Sequence, residues 1–306
     1  MLKDVRISLM YYHRRHIKKE IKFERSEALD FGNLFHTLVL EPEKIKTEFS
    51  LPPIIPDNAF TNTDSLKAFI REYNADKQKS AQLKLTGKKE ELIETIKSVK
   101  PDAVFADELI QAWTNDSSRI RITADQYQLA SPMQQAVLKH PEANKIISHP
   151  NRSIELSYYG IDEDTGLEIR VRPDLEIQLS HDHRIGFDLK SASLGRFKQE
   201  MIEAMIKREI IHRDYHISAA MYCDIAMLDQ FFWIFVNKDE NYHWVAIVEA
   251  SPELLELGRL EYKKTLRDIN QAMKTNYWPE PITSTFIVNL SDFEQRKLEK
   301  LQLNAA

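Results

Sequence analysis

The sequence predicts a mixed α/β fold in which a central sheet is covered by helices. Two hairpins with alternating apolar and polar residues follow residue 150, and a polar turn closes each of them. Helical patterns precede these hairpins, and two helices, two further strands and a long amphipathic helix follow them. Strands and helices in this order are typical of a sheet with helices packed on its faces.

Each hairpin is defined by its turn. The first turn is Asp162 to Gly166, and the second is His181-Asp182-His183. A long strand over residues 152–159 is expected before the first turn, paired with a returning strand after it. The predicted strands are 152–159, 167–172, 175–179, 184–189, 230–236 and 242–248.

The helices are predicted from apolar periodicity and from capping residues. Ser26 is a plausible N-cap for a helix over 27–40, which Pro42 follows, and residues 122–125 indicate another helix start. The proline-rich stretch 51–56 is expected to be an extended linker. The other predicted helices are 5–19, several within 63–149, 196–208, 213–227, 252–274 and a short final one at 291–303. We therefore divide the chain into N-terminal helices (1–50), a linker and helical insertion (51–150), a catalytic sheet with its helices (151–280) and a C-terminal tail (281–306).

Composition excludes several classes of protein. The single cysteine, Cys223, excludes a disulfide framework and any four-cysteine metal site, and we expect it to be buried in a protein of the reducing cytoplasm. No apolar run approaches the length of a membrane span, and no secretory signal pattern begins the chain, so no membrane partner is expected. The net charge of −5 argues against a surface that is positive throughout.

The charge is unevenly distributed, however. Residues 12–25 carry six lysines and arginines against two glutamates, with aromatic residues between them. A second basic group, between 196 and 213, follows the second hairpin. Each run could be a solvated face, whereas both runs near one acidic pocket would favour a bound polyanion.

The second hairpin carries the residues with the most informative chemistry. Asp174 precedes its first strand, and Asp188-Leu189-Lys190 ends its second strand. Because alternate residues of a strand share a face, Asp188 and Lys190 point together while Leu189 turns into the core. Two carboxylates suit a hard cation such as Mg²⁺, and a lysine beside them suits a phosphodiester. The alternative is a surface hairpin whose acids and lysine are simply solvated.

These residues, with several others in the same order, resemble the PD-(D/E)XK nuclease superfamily and, within it, the exonuclease VIII (RecE-type) exonucleases. Residues 28–42 resemble the Gly-x-x-x-His helix that ends in Leu-Glu-Pro, with Gly32 and His36 in the key positions. Residues 170–174 match the Arg-Pro-Asp element, and residues 188–190 match the Asp-x-Lys signature. Glu155 resembles the acidic residue of the first core strand, and residues 213–224 resemble the helix motif that follows. The chain departs from this pattern at Ser218, where the family commonly has glutamine.

The resemblance implies a restriction-endonuclease-like mixed sheet flanked by helices, with an additional helical region, and it implies roles for individual residues. Asp174, Asp188, the Leu189 carbonyl and His36 would hold Mg²⁺, with Mn²⁺ as a good substitute. Lys190 would position the attacking water, and Glu155 would hold a second metal or orient a water. The residues expected to contact DNA are Arg170, Arg172, Tyr215, His216 and Tyr222, although the arginines could equally pair with acids and the helix residues could be core packing.

The implied function is a metal-dependent exodeoxyribonuclease that acts on the ends of linear double-stranded DNA. By resemblance it would degrade 5′ to 3′, leave 3′ single strands for a RecT-type annealing protein, and assemble as a homotetrameric ring. Two alternatives remain open: a structure-selective or sequence-selective endonuclease of the same fold, and a non-catalytic module that binds DNA ends.

Overall fold

A computed structural model describes residues 2–305 and contains a central mixed sheet of five strands. The strand order is β3-β6-β7-β8-β9, in which β7 and β8 are parallel and all other neighbours are antiparallel. A separate hairpin, β4-β5, and a short parallel pair, β1-β2, lie outside this sheet. The strands are β1 (Phe49–Ser50), β2 (Ile120–Arg121), β3 (Arg152–Ile154), β4 (Tyr158–Ile161), β5 (Glu168–Val171), β6 (Leu175–Ser180), β7 (His183–Ala192), β8 (Gln230–Asn237) and β9 (Val245–Glu249).

Helices cover both faces of the sheet, which confirms the predicted α/β class. They are α1 (Leu2–Val5), α2 (Leu9–Tyr12), α3 (Glu27–Leu40), α4 (Ile45–Glu48), α5 (Thr63–Asn74), α6 (Lys89–Val99), α7 (Ala106–Asn115), α8 (Ala124–Lys139), α9 (Pro141–Ile147), α10 (Ile202–His212), α11 (Tyr215–Ala226), α12 (Pro252–Thr275) and α13 (Asp292–Ala305).

One face of the sheet packs on α3, α8 and α9. Leu34 and Phe35 of α3 are fully buried against a cluster that includes Leu189 of β7 and Ile234 of β8. The capping residue predicted for α3 is confirmed, because Ser26 Oγ accepts a hydrogen bond of 3.2 Å from the Leu29 amide. This cap and this apolar face hold α3 against the sheet at the end of β7.

The other face packs on β5, α10, α11 and α12. Its cluster includes Trp233 and Phe235 of β8, which are completely buried. Helices α11 and α12 approach closely at Gly258, where an added methyl carbon would lie 2.3 Å from the His216 carbonyl oxygen. Because Leu189 faces the α3 side, the neighbouring Asp188 and Lys190 face the α11 side.

The helical region between the linker and the sheet contributes to two cores. Ala130, Met133 and Val137 of α8 join the cluster that contains α3. Leu66, Ile70 and neighbouring residues of α5 and α6 instead form a small separate cluster with Phe105. Residues 51–56 have no regular structure, as the prolines predicted.

Three predicted elements are corrected by the structure. The strand expected over 152–159 is interrupted, because β3 ends at Ile154 and Glu155 adopts a left-handed backbone with φ of 50°. The helix expected over 5–19 divides at Ser8, whose hydroxyl accepts a bond of 2.9 Å from the Tyr11 amide and so starts α2. The helix expected from residue 196 begins only at Ile202.

The C-terminal tail forms α13 and remains at the surface. Phe286, Ile287, Val288 and Phe293 are each at least 65% exposed. None of the helices between residues 2 and 305 is both long enough and apolar enough to cross a membrane.

Candidate active site

The structure brings Asp174, Asp188 and Lys190 together at one end of the β6-β7 pair. Leu175 lies opposite Phe187 in the ladder, so Asp174 and Asp188 are neighbours across the two strands. The Asp174 carboxylate accepts a hydrogen bond of 2.8 Å from the Leu189 amide, and the Lys190 ammonium pairs with Asp188. Asp188 is only 4% exposed, so this is a buried charge cluster and the solvated-hairpin alternative is excluded for it.

In this cluster the positive charge of Lys190 lies beside two carboxyl groups, those of Asp174 and Asp188. Burial, and then the charge of Asp188, raise the pKa of Asp174 well above its ordinary value. Burial opposes the charge on Lys190, but the charges of Asp188 and Asp174 outweigh it and raise the pKa of the ammonium. Lys190 is therefore protonated at neutral pH and can only donate hydrogen bonds there.

His36 reaches the same cluster from α3 on the far side of Leu189. Its Nε2 donates a hydrogen bond of 2.7 Å to the Leu189 carbonyl, and its Nδ1 lies 3.5 Å from Asp174 Oδ2. Burial and the Lys190 charge lower the pKa of the imidazole. In the neutral ring, Nδ1 therefore carries no proton and faces Asp174 Oδ2. Two acceptors that face each other repel, and a shared proton or a bound cation would remove this repulsion.

Glu155 lies at the rim of the cluster, in the break between β3 and β4. Its amide donates a hydrogen bond of 3.1 Å to the Asp174 carbonyl, which fixes the break beside the site. Its carboxylate pairs with Arg172 at 3.2 Å. The structure thus favours the alternative considered for Arg172, a partner for a neighbouring acid, and places this ion pair next to Asp174.

The predicted residues of α11 fall into two groups. The Lys190 ammonium lies 5.1 Å from the centre of the Tyr215 ring, and burial followed by the charge of Asp188 raises the pKa of Tyr222. Both tyrosines therefore belong to the cluster. His216 is only 2% exposed and its Nε2 is 2.9 Å from Glu261, so it lies in the core between α11 and α12. The surface contact predicted for His216 is not available in this structure.

Arg170 lies on the exposed side of β5 and does not reach the carboxylates. Its guanidinium donates a bond of 3.1 Å to Ser157 and stacks over Tyr159, which is 73% exposed. It is free to contact a ligand that extends along the β4-β5 hairpin.

Sequence reasoning missed one cation of this cluster, Lys3 of α1. Its ammonium lies 4.9 Å from the centre of the Tyr215 ring and donates a bond of 2.8 Å to the Arg213 carbonyl. Burial, and then the charge of Lys190, lower the pKa of Lys3. No local pattern marks Lys3, because the fold brings it from the opposite end of the chain.

Some of the atoms at this site are suitable ligands for a hard divalent cation. Two carboxylates and the Leu189 carbonyl are oxygen ligands, and the crowded acceptors Asp174, Asp188 and His36 would gain from a positive charge among them. Between residues 2 and 305, no three His, Cys, Asp or Glu side chains are arranged as a complete metal-holding group. The His36 ring, in particular, is directed to the Leu189 carbonyl. A magnesium ion would therefore depend on the aspartates, the carbonyl and water.

Comparison with known proteins identifies a matching family profile. Residues 2–284 match the profile of a PDDEXK-like domain of unknown function (DUF3799). No curated protein is detectably similar to the chain. Among solved structures, a protein from Eubacterium rectale whose name provisionally assigns it as an exonuclease is 12% identical, with a TM-score of 0.42 over 78% of this chain and 92% of that one. The protein SSO0001 is 10% identical, with a TM-score of 0.28 over 78% of this chain and 85% of its own.

Proposed function

Since the chain belongs to the family of PDDEXK-like domains, we propose that it is a metal-dependent exodeoxyribonuclease acting on the ends of linear double-stranded DNA. The observation that carries this proposal is the convergence of Asp174, Asp188 and Lys190 on adjacent strands. A solvated or purely structural hairpin would not need a buried acid beside a second acid and a lysine that are both largely shielded from solvent, because such a cluster is costly to bury.

Each residue has a chemical task in this proposal. Asp174, Asp188 and the Leu189 carbonyl would bind Mg²⁺ or Mn²⁺, with His36 in reach, and such an ion would lower the pKa of a bound water and offset charge on the phosphate. The Lys190 ammonium donates hydrogen bonds to the attacking water and to the phosphoryl oxygens as negative charge builds on them. Glu155, held beside Asp174, orients a water or a second ion.

The finer features of the proposal follow from the resemblance to the exonuclease VIII type. They are 5′ to 3′ polarity, 3′ single-stranded products for a RecT-type annealing protein, and a homotetrameric ring. A ring is consistent with the net charge of −5, because only the lining of its channel needs to be positive. Light scattering of the purified protein tests the ring, and a monomer at working concentration would refute it.

The decisive experiment is digestion of linear duplexes labelled at the 5′ or the 3′ end, with Mg²⁺ or Mn²⁺. Lys190→Ala and Asp188→Ala are expected to lower the cleavage rate at least about a hundredfold, because each removes a group that acts in the transition state. Lys145→Ala and Asp182→Ala are the matched controls, since these side chains are 71% and 91% exposed and lie outside both basic runs, and both should cleave as the wild type does.

The same assay separates the alternatives. Relaxed circular duplex should remain intact, because an exonuclease requires an end, whereas cutting of the circle would favour an endonuclease. The label that is released first reports the polarity. If the wild type releases no nucleotide from either duplex and Asp188→Ala binds DNA equally well, the protein is a non-catalytic DNA-end-binding module.

A further inference from the structure

A cavity of about 460 Å³ lies beside the candidate active site, and none of the residues given a catalytic task lines it. The N-terminal helices, β5, α11 and α12 enclose it. Its walls are mainly apolar, with Val171 of β5, Met221 of α11 and Ile269 of α12 among them. The volume falls within the range of small-ligand pockets, about 300–1,000 Å³.

The cavity adjoins the charge cluster through shared residues. Tyr222 lines the cavity and also responds to the charges of Asp188 and Asp174. Lys3 lines it as well, and its ammonium contacts the Tyr215 ring that Lys190 also contacts. A molecule held over Lys190 would therefore have an apolar recess next to it, with a second ammonium, that of Lys3, in the lining.

The lining of the cavity suits a nucleobase better than it suits a sugar or a phosphate. Sugar and phosphate are polar and would find few partners on apolar walls, whereas the faces of a nucleobase are apolar and stack on aromatic rings. Tyr12 and Tyr222 supply such rings, and Ser218 supplies a hydroxyl for the edge of a base. The cations Lys3 and Arg170 suit the phosphates that flank it, although Glu168 at the outer end does not.

We propose that this cavity receives the base of the nucleotide adjoining the cleaved phosphodiester, unstacked from the end of the duplex; this inference rests on the proposed function. Unstacking a terminal base costs free energy, and burial of the base in the cavity offsets that cost. The small number of polar groups in the walls implies capture without a strong preference for one base.

Fluorescence of a terminal base tests the proposal without cleavage. Duplexes carry 2-aminopurine at the 5′ or the 3′ end and a distant dye, and Ca²⁺ replaces Mg²⁺. With the wild type, 2-aminopurine emission at one of the two ends should rise several-fold on binding, because the base leaves the stack. Met221→Trp should fill the cavity and abolish this rise, while the dye anisotropy shows that DNA still binds.

Two further variants control for folding. Met273 also lines the cavity but is 51% exposed, so Met273→Trp should narrow the entrance with little effect on stability. Leu260→Trp is its matched control, because Leu260 lies on the same helix, is 59% exposed and does not line the cavity. Met273→Trp should reduce the emission rise and lower end cleavage about tenfold, and Leu260→Trp should change neither.

The outcomes separate this inference from the proposed function. If the wild type binds and cleaves ends without any rise in emission, or if both cavity variants keep the full rise, the cavity does not hold a base and only this inference fails. If the wild type binds DNA with a rise in emission but never cleaves, the cavity assignment stands and the nuclease proposal fails. A wild type that does not bind DNA refutes both.

Discussion

Replacing Gly258 with alanine is expected to destabilise the protein, whereas the same replacement at Gly32 should stabilise it. Both glycines are inside helices, in α12 and α3. A methyl carbon at Gly258 would lie 2.3 Å from the His216 carbonyl oxygen, 2.8 Å from its carbon and 3.1 Å from Ala220 Cβ. At Gly32 nothing lies within 4 Å of the added carbon.

These distances decide whether each replacement lowers or raises the free energy of unfolding. At Gly258 the nearest obstacle is backbone, which cannot rotate away, so α11 and α12 must separate by about 1 Å to restore contacts of 3.4 Å or more. Overpacking of this kind costs about 1–3 kcal/mol, and the better helix propensity of alanine offsets about 0.8–1.0 kcal/mol. The net loss at Gly258 is about 0–2 kcal/mol, and the gain at Gly32 is up to about 1 kcal/mol.

Urea unfolding followed by far-ultraviolet circular dichroism measures both variants against the wild type. The midpoint should fall for Gly258→Ala and rise for Gly32→Ala, with unchanged slopes. Since α11 carries Tyr215 and Tyr222, Gly258→Ala should also lower the cleavage rate at temperatures where it is still folded. Equal midpoints for the two variants would show that the α11-α12 contact is loose, and would refute the reasoning.

Three other predictions concern a polar network, the metal and the tail. Asp224→Asn should cost about 1–2 kcal/mol at neutral pH, since it weakens the bonds to Arg259 and Tyr262 at a partly exposed site. Burial alone would raise the pKa of Asp224, but the bonds to Arg259 and Tyr262 outweigh burial and lower the pKa. The stabilisation is therefore present above about pH 4 and disappears as the pH falls through the lowered value. A difference in the free energy of unfolding between wild type and variant that persists in acid would contradict this. EDTA should abolish end cleavage and Mn²⁺ as well as Mg²⁺ should restore it, whereas cleavage that continues in EDTA would exclude a metal mechanism. Deletion of residues 285–306 should change the free energy of unfolding by less than about 0.5 kcal/mol, because the tail is exposed throughout its described part; a larger loss in thermal unfolding would show that the tail packs on the domain.

Local signals in the sequence predicted those elements whose cause is itself local. The start of α3 was predicted correctly because the Ser26 hydroxyl caps an amide three residues away. The β6-β7 hairpin was predicted correctly because its alternation and its turn lie within one short segment. The convergence of Asp174, Asp188 and Lys190 followed from that hairpin, since the register of two adjacent strands decides which side chains are neighbours.

The errors have non-local causes. The break at Glu155 is fixed by a hydrogen bond to the Asp174 carbonyl, and a strand pattern contains no information about that partner. Lys3 reaches the site only because α1 packs against α12 and the start of α11. His216 has the polar character of a ligand-binding residue, yet its Nε2 pairs with Glu261 of α12 within the core, and its buried Nδ1 has no hydrogen-bond partner among the described residues.

The network around Asp224 and the cluster around Asp174 differ in a way that supports the proposed site. In the Asp224 cluster, Arg259 and Tyr262 satisfy the carboxylate completely, and its pKa is lowered, so the cluster stabilises the fold without help. In the cluster around Asp174, two acids and an imidazole crowd one lysine, the pKa of Asp174 is raised, and Glu155 beside it has a left-handed backbone. Strain and unrelieved charge of this kind persist in folded proteins mainly where a ligand uses them. A cation and a phosphate are the ligands whose charges would relieve this cluster, because the cation offsets the carboxylates and the phosphate offsets Lys190 and Lys3.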